Sequence, residues 1–505
     1  MSSGPTLHEL MSHGEDAHPA ILAPDRRPLS FGELRGLVRD TVASLNAFGV
    51  GRGDRVAIVL PNGPEMATAF IAIATGAAAA PLNPTYRAEE FEFYLSDLGA
   101  KALVVEVGSA SPAIEVARKL GVLIVELRPQ PQLGAGAFAL ACAHTRKGEF
   151  PPGPATPDDA ALILHTSGTT SRPKIVPLSQ RNVCVSAQNV AKTLEFTPSD
   201  RGLNIMPLFH IHGLIAGLLA PLSRGGAVFC TPGFNALKFF GWMREAAPTW
   251  YTAVPTMHQA ILARAAHNKD VIAANPLRFV RSSSSSMPPQ VIAELEATFG
   301  APLIEAYGMT EAAHQMASNP LKGVRKPGSV GVAAGPEIAI MDDGGALLPP
   351  GRIGEIVIRG ANVAAGYENN PKANAEAFSG GWFRTGDQGV MDEDRYVSLT
   401  GRLKEIINRG GEKISPREVD EVLMDHPAVR QVVTFAMPHD KLGEEVAAAV
   451  VLREGAHATE KELRDFAGAR LAPFKAPRKI VFLDEIPKGA TGKLQRIGLA
   501  AKLGL

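Results

Sequence analysis

A run of hydroxyl-bearing residues between Thr166 and Lys174 is the segment of this sequence best suited to bind phosphate. Backbone N–H groups in a tight Gly/Ser/Thr turn form an anion-binding concavity, and hydroxyls and a lysine add further donors. The apolar run at residues 160–164 predicts a buried strand that ends in this loop. The loop does not match the Walker A pattern, and a polar loop alone is usually a solvated turn. Support for phosphate binding must therefore come from other segments.

One later segment carries groups that suit a nucleotide and a metal ion. A predicted strand that starts at Leu303 ends at Tyr307 and Gly308, where a ring can lie against a base and a glycine permits close approach. Thr310 and Glu311 follow directly, and they offer a hydroxyl and a carboxylate to phosphate and to a hard cation. The motif is weak alone and becomes informative only together with the loop that precedes it.

Asp387 and Lys493 each come directly after a glycine, in turn-like segments near the end of the chain. An aspartate after a tight turn suits acceptance of two ribose hydroxyls, although a simple Asx turn explains it equally well. A lysine in a glycine-rich loop is by itself most often a solvated surface group. Neither residue indicates a function without the other motifs.

Two further segments could contact a small ligand. Five serines at residues 282–286 join a predicted strand at 277–280 to a predicted helix that begins at Pro288. A flexible linker is one reading, but a ligand loop at the carboxyl end of a strand suits a regular strand-to-helix connection better. His210 leads into an apolar helix predicted at 214–222, and a histidine in that position is most often structural.

The elements that must position these residues alternate between strand and helix. Residues 1–157 predict a doubly wound α/β unit with strands at 55–60, 102–106 and 122–126, and residues 158–340 repeat the alternation. Residues 351–401 are rich in strands and turns, which predicts a β-subdomain. From residue 405 onward the pattern becomes a small α+β domain. We therefore expect an α/β protein with domains at 1–403 and 404–505.

The composition excludes several classes of protein. Lys+Arg and Asp+Glu both total 51 in 505 residues, so no net field favours nucleic acid or an anionic membrane. Three separated cysteines indicate a reducing compartment, and the N-terminus lacks the apolar core of a secretory signal. The alanine-rich run 66–82 predicts a buried helix rather than membrane insertion. These features predict a cytoplasmic protein without a membrane segment. We also expect no fused carrier domain.

Five motifs together resemble the acyl-adenylate-forming superfamily, which includes acyl-CoA synthetases, luciferases and peptide-synthetase adenylation domains. They lie in the superfamily's order and approximate spacing, at residues 166–174, 307–311, 385–387, 401–404 and 487–493. The usual loop has glycine where this chain has Ser171 and Ile175. The resemblance implies a large N-terminal domain, a β-subdomain and a small mobile C-terminal domain. It also implies a ligase that uses ATP, Mg²⁺ and coenzyme A, with release of AMP and pyrophosphate.

The resemblance carries residue roles with it. It implies that Lys493 bridges the carboxylate and the α-phosphate, that Thr166, Lys174 and Glu311 assist catalysis, and that Glu311 binds the metal. It implies a hinge at Lys404 and a passage for CoA at Gly410 and Gly411. The residues that it implies at the nucleotide are Thr166, Ser167, Gly168, Thr169, Thr170, Lys174, Ser285, Glu305, Ala306, Tyr307, Gly308, Met309, Thr310, Asp387, Arg402 and Lys493.

The segments around His210, Ser284 and His314 resemble the oxalate–CoA ligase branch of the superfamily, which implies that these residues grip the distal carboxylate of a small polar acid. A pocket of hydroxyls and imidazoles would leave donors unpaired against an alkyl chain. Ser285 stands where that branch usually has alanine. Malonate, another short or medium-chain acid, and a separate carrier protein as acceptor stay open as alternatives. A non-catalytic binder and a hydrolase are disfavoured, because the key residues are intact and no G-x-S-x-G occurs.

Overall fold

The computed structural model describes residues 4–146, 150–166, 173–488 and 494–505. Within them the strands are β1 Pro19–Leu22, β2 Leu29–Ser30, β3 Arg55–Val59, β4 Ala78–Pro81, β5 Ala102–Glu106, β6 Leu123–Pro129, β7 Phe138–Ala141, β8 Ala160–Thr166, β9 Lys174–Ser179, β10 Arg201–Asn204, β11 Ala227–Cys230, β12 Trp250–Ala253, β13 Phe279–Ser282, β14 Leu303–Met309, β15 His314–Ser318, β16 Val332–Ala333, β17 Glu337–Met341, β18 Ile353–Arg359, β19 Phe378–Ser379, β20 Trp382–Met391, β21 Val397–Arg402, β22 Ile407–Arg409, β23 Glu412–Ile414, β24 Val429–His439, β25 Gly443–Leu452 and β26 Lys479–Phe482.

The α-helices are α1 Leu7–Leu10, α2 Phe31–Ala47, α3 Pro64–Gly76, α4 Ala88–Leu98, α5 Ala113–Leu120, α6 Gln180–Thr193, α7 Ala220–Leu222, α8 Phe239–Ala246, α9 Pro255–Ala265, α10 Lys269–Ala274, α11 Pro289–Phe299, α12 Pro371–Ala377, α13 Pro416–Met424, α14 Glu460–Gly468 and α15 Leu499–Lys502. Short 3₁₀ helices span Met11–His13, Pro131–Leu133 and Thr310–Ala312, and a π-helix spans His212–Leu219. No helix in the described ranges is long and apolar enough to cross a membrane.

The first sheet has seven strands in the order β7-β6-β5-β3-β4-β8-β9, and its parallel centre confirms the predicted α/β alternation. The prediction of one helix over residues 66–82 is wrong, because α3 ends at Gly76 and the chain continues as β4. The alanines of β4 lie between β3 and β8, where small side chains fit in a strand buried on both faces. The antiparallel pair β8–β9 flanks the hydroxyl-rich loop.

The second sheet has nine strands in the order β16-β15-β14-β13-β12-β10-β11-β1-β2. Strands β12, β13 and β14 are parallel neighbours, so their carboxyl ends meet at one edge, which is where α/β sheets bind ligands. The predicted strand at 277–280 is observed as β13, shifted by two residues, and α11 begins one residue after Pro288. The polar residues of the serine segment therefore lie at the ligand-binding edge of this sheet.

The apolar segment after His210 folds as a π-helix followed by the short helix α7, and not as the single helix predicted over 214–222. Asn204, at the end of β10, donates a hydrogen bond from Nδ2 to the Gly213 carbonyl at 3.2 Å, and its amide also lies against Gly217. A side chain that takes a helix carbonyl in this way interrupts the regular i→i+4 pattern. The wider turns place His212 at the start of the buried segment.

A third sheet, of β17 to β21, forms a β-subdomain that begins at Glu337, earlier than the predicted residue 351. A fourth sheet, of β22 to β26, packs with α13 and α14 into a small α+β unit. The predicted strand at 405–407 is wrong in its bounds, because Glu405 lies in a turn and β22 covers Ile407–Arg409. The third sheet ends at Arg402, and the fourth begins at Ile407. The domain boundary at residue 403 stays a prediction.

Candidate active site

Thr166 and Lys174 lie opposite each other in the last pair of the β8–β9 ladder, on the two sides of the hydroxyl-rich loop. The Lys174 backbone N–H donates to Thr166 Oγ1 at 3.4 Å, and Lys174 Nζ lies 4.3 Å from the centre of the Tyr367 ring. The hairpin therefore holds a cation at the mouth of the loop. Ser167, Gly168, Thr169 and Thr170 lie outside the described residues.

Glu311 is buried at the start of the 3₁₀ turn that follows β14. Tyr367 donates its hydroxyl to Glu311 Oε1 at 2.7 Å, and burial, with the nearby Glu311 charge, raises the Tyr367 pKa well above its usual range. One oriented carboxylate fits Mg²⁺, which proteins usually hold by one or two carboxylates together with substrate phosphates. The described residues contain no cluster of three or more potential metal ligands, so a ligand would have to complete this site.

Tyr307, Asp387 and Arg402 form a second group, in which Tyr307 and Asp387 are buried and Arg402 is exposed. The Tyr307 hydroxyl donates to Asp387 Oδ2, and Arg402 Nε donates to Asp387 Oδ1 at 3.0 Å. Burial and the Asp387 charge raise the Tyr307 pKa well above its usual range, whereas the Asp387 charge raises that of Arg402. Each oxygen of Asp387 thus has a donor, and the carboxylate is fixed where β20 and β21 pair.

The Gly308 backbone lies so close to His314 that a Cβ at residue 308 would be 1.7 Å from the His314 carbonyl oxygen. A glycine is therefore required at this point, where the β14–β15 ladder shifts register. Met309 pairs with His314 across that ladder. Thr310 begins the 3₁₀ turn, Ala306 is buried in β14, and Ser285 is exposed beside Ser284.

Glu305 is buried in β14, one strand away from the serine segment. Burial raises the Glu305 pKa to about 8, and the charge of Arg417 opposes that shift in part. The side chain therefore carries a proton at neutral pH in the folded protein.

A polar cluster lies at the carboxyl ends of β12 and β13. His212 Nδ1 is 3.1 Å from Ser284 Oγ, and His212 Nε2 is 2.7 Å from Thr252 Oγ1. The rings of His212 and His314 stack with their centroids 5.0 Å apart. Ser284 and His314 both have positive φ, 75° and 104°, which is uncommon for residues with a side chain. Such conformations persist where the surrounding structure holds them, and they are frequent at ligand sites.

Arg281 lies beneath this cluster, and its side chain is fully buried. Its Nη1 is 3.3 Å from His212 Nε2, and its Nη2 is 3.1 Å from His314 Nε2 and 3.3 Å from Gln315 Oε1. Burial lowers the Arg281 pKa to about 9. The arginine thus joins the two imidazoles from below.

Comparison with known proteins decides the family. The profile of the AMP-binding enzyme family matches residues 12–368, and that of the AMP-binding enzyme C-terminal domain matches residues 418–493. This chain belongs to the AMP-binding enzyme family. It is an AMP-forming acid–CoA ligase, a class of enzyme that uses ATP and CoA.

Relatives of this ligase match it over nearly the full length. It is 46% identical to an oxalate–CoA ligase of Arabidopsis thaliana, over 94% of this chain and 95% of the relative, and 44% identical to one of Saccharomyces cerevisiae, over 88% and 86%. Among solved structures, ATP-bound MatB from Rhodopseudomonas palustris superposes with a TM-score of 0.89 at 30% identity, covering 99% of both chains. The predicted fold class is confirmed.

The ligase brings together some of the predicted site residues and leaves others apart. His210 is not in a described contact with Ser284; its Nδ1 accepts the backbone N–H of His212 at 3.3 Å, and it is His212 that reaches the serine. Lys404 is exposed in the turn after β21. Gly410 and Gly411 are exposed with φ of 60° and 101° in the turn between β22 and β23.

Three residues of the site were not predicted from the sequence of this ligase: Arg281, His212 and Tyr367. Arg281 directly precedes the serine segment, and His212 lies two residues after His210, so both were inside segments already singled out. Tyr367 lies outside every predicted motif, and only its contact with Glu311 in the fold identifies it. Lys493 lies outside the described residues.

Proposed function

We propose that this ligase activates oxalate, through oxalyl-AMP, to oxalyl-CoA. The observation that carries the proposal is the cluster of His212, Ser284 and His314, which lies where parallel strands end and contains polar groups in place of an apolar acyl pocket. Such a cluster leaves donors unpaired against an alkyl chain and satisfies them against a second carboxylate. The names of the two relatives that are 44–46% identical support the same acid.

In the first half-reaction, an oxygen of the acid attacks the α-phosphorus of ATP, and the bond to the bridging oxygen of pyrophosphate breaks. Both reactants are anionic, so fixed cations and dipoles lower the barrier. Thr166 and Lys174 are proposed to bind phosphate, together with the loop between them, and Lys493 to bridge the attacking carboxylate and the α-phosphate. Glu311, oriented by Tyr367, is proposed to hold Mg²⁺, which neutralises phosphate charge when bound.

The nucleoside is proposed to lie along β14 and β20. Asp387, already fixed by Tyr307 and Arg402, is proposed to accept the ribose hydroxyls with the lone pairs that those donors leave. Tyr307 and Gly308 lie near the end of β14, and the base is proposed to lie beside them. Glu305, Ala306, Met309, Thr310 and Ser285 are proposed to line the same end of the sheet.

In the second half-reaction, the CoA thiol adds to the acyl carbonyl, AMP leaves, and the thiol proton is released. We propose that the unit from residue 404 onward rotates at Lys404 for this step and brings Gly410 and Gly411 to the site. Glycine turns without side chains suit the passage of a narrow pantetheine arm. Three free cysteines, two of them buried, suit a reducing, cytoplasmic location.

Release of pyrophosphate with a panel of C2 to C6 mono- and dicarboxylic acids tests the proposal. Oxalate should give the highest kcat/KM, AMP and pyrophosphate should form in equal amounts, and removal of Mg²⁺ should abolish turnover. ADP and phosphate as stoichiometric products would contradict the ligase chemistry. A preference for hexanoate over oxalate would contradict the acid alone, and a preference for malonate would move the assignment to a longer dianion.

A further inference from the structure

The Arg281 guanidinium is a buried charge without a carboxylate partner among residues 4–146, 150–166, 173–488 and 494–505. Its described contacts are with His212, Thr252, His314 and Gln315, all of them uncharged acceptors, and its Nε has no partner there. Burial is the cause that lowers the pKa of Arg281, with no acidic group opposing it. An isolated buried cation is among the costliest groups that a fold can contain.

Three arginines that are partly exposed, in contrast, have acidic partners. Arg278, three residues earlier, pairs with the buried Asp200. Arg496 pairs with Asp420 at 2.8 Å and with Glu405 at 3.2 Å, and Arg384 pairs with Glu355. At these three arginines the chain itself supplies the counter-ion. The absence of one at Arg281 indicates that the balancing negative charge comes from a ligand.

The contacts of Arg281 also fix the protonation of two imidazoles. Arginine has N–H donors and no acceptor, so His212 Nε2 and His314 Nε2 must accept from it. In a neutral imidazole the other nitrogen then carries the hydrogen, and a second positive charge beside the guanidinium is unfavourable. His212 Nδ1 therefore donates to Ser284 Oγ, which leaves the Ser284 hydroxyl hydrogen available to an acceptor.

We propose that Arg281 is the specificity-determining positive charge of the acid pocket, a positioning residue that acts through His212, His314 and Ser284 to select acids with a second negative charge. Through His212 it orients the Ser284 hydroxyl, and by direct contact it orients the His314 ring, toward one ligand oxygen group. It also supplies the charge that the second carboxylate requires. The inference rests on the proposed function, since it assumes that the acid binds at this cluster. An acid of the same size with an uncharged second group gains nothing from the arginine.

Turnover of oxalate and glycolate tests this, because glycolate has a hydroxymethyl group in place of the second carboxylate. Arg281→Met removes the charge with similar bulk, and Arg281→Lys keeps it without the fork of donors. Arg278→Met is the matched control, since it removes an arginine near the same strand that has its own partner. For each protein, kcat/KM for both acids, KM for ATP and the Tm are measured.

For Arg281→Met we expect a ten- to hundredfold loss of kcat/KM for oxalate, less than fivefold for glycolate, and an unchanged KM for ATP. Arg281→Lys should keep a preference for oxalate, with its loss mainly in KM. Arg278→Met should lower the Tm and leave the ratio of the two acids as in the wild type.

The inference is overturned if Arg281→Met harms both acids equally, or if it lowers the Tm while the ratio of the acids stays the same. Should Arg281→Met fail to fold, Arg281→Lys decides: loss of the oxalate preference in a folded lysine variant overturns the role of the charge. A wild-type enzyme that does not form oxalyl-CoA contradicts the proposed function itself. Wild-type activity on oxalate with an unchanged preference in Arg281→Met contradicts only this inference.

Discussion

Tyr307 and Arg281 lie on adjacent strands of one sheet, but the charged groups around them are paired differently. Beside Tyr307, the Asp387 carboxylate already has a cation, Arg402, and a hydroxyl donor. Beside Arg281, the described partners are neutral acceptors. A ribose is an uncharged diol, so its hydroxyls can bind to a carboxylate that is already paired with an arginine. A dianion instead needs a cation that has no counter-ion from the protein. Under the proposed function, this difference distinguishes the residues that bind the nucleotide from those that select the acid.

The largest effect should come from substitution of Lys493, which is predicted to belong neither to the group around Asp387 nor to the cluster around Arg281. Lys493→Ala should slow acyl-AMP formation by about 10²–10³-fold, because the charge is needed where negative charge develops between acid and α-phosphate. Thioester formation from supplied acyl-AMP should change little. Pyrophosphate release and single-turnover thioester assays separate the two steps. Lys488→Ala, which removes a lysine paired with Glu485, is the control, and equal loss in both steps would show a structural role for Lys493.

Substitutions in the proposed acid pocket should impair turnover of the acid without weakening the binding of ATP. Ser284→Ala and His314→Ala should each cost about ten- to a hundredfold in kcat/KM for oxalate, because a donor to a buried charge is removed. KM for ATP should stay within about twofold, and a longer monocarboxylate should suffer less. Ser283→Ala is the matched control, since the Ser283 hydroxyl is buried and unpartnered in the described structure. Equal damage to both acids would remove the dicarboxylate assignment and leave the ligase class.

Loss of one hydrogen bond to Asp387 should weaken ATP binding and leave the acid preference unchanged, the reverse of the effect expected at Ser284 and His314. Tyr307→Phe removes one donor to Asp387 but keeps Arg402, so KM for ATP should rise about three- to tenfold, as expected for one buried hydrogen bond. The oxalate-to-glycolate ratio should stay constant. Tyr396→Phe, which removes an exposed hydroxyl bond to the Val324 carbonyl, should change neither value. A shift in acid preference for Tyr307→Phe would show that the two sides are coupled.

The smallest effect concerns protein stability and arises at Glu305, two residues before Tyr307 on β14. The Glu305 pKa is about 8 in the folded protein and near 4.5 when unfolded, so ionisation favours unfolding increasingly as the pH rises from 4.5 to 8. Below pH 4.5 both states are protonated and the penalty vanishes. Glu305→Gln should therefore raise the Tm by a few degrees at pH 8 and much less at pH 5. The exposed variant Glu376→Gln is the control, and an equal gain at both pH values would contradict the buried, protonated state.

The sequence was sufficient for the α/β alternation, because largely apolar runs such as β3 and β5 are short, buried and flanked by turns. It was insufficient where one composition suits two structures. The alanines of β4 follow α3 with no polar residues between the two elements. They form a strand because they pair with β3 on one side and with β8 on the other. The widened turn after His210 depends on Asn204, a residue of another strand.

The site shows the same limit. Glu311 and Asp387 could be predicted because each lies in a local motif. Tyr367 could not, because its partner Glu311 is 56 residues away and no local pattern marks it. The role of Arg281 could not be predicted from the sequence, for a different reason. In a sequence, an arginine at the end of a strand suggests a surface ion pair, and its lack of one becomes visible only when its neighbours are known.

The close approach of Gly308 to His314 restricts how this protein can diverge. A methyl group at residue 308 would displace the His314 carbonyl, so a mutation in the nucleotide motif would be felt first by the imidazole that Arg281 contacts. Every residue has a backbone carbonyl, so Gly308 is required whatever side chain stands at position 314. Libraries that vary the acid pocket, position 314 included, should therefore keep Gly308 fixed.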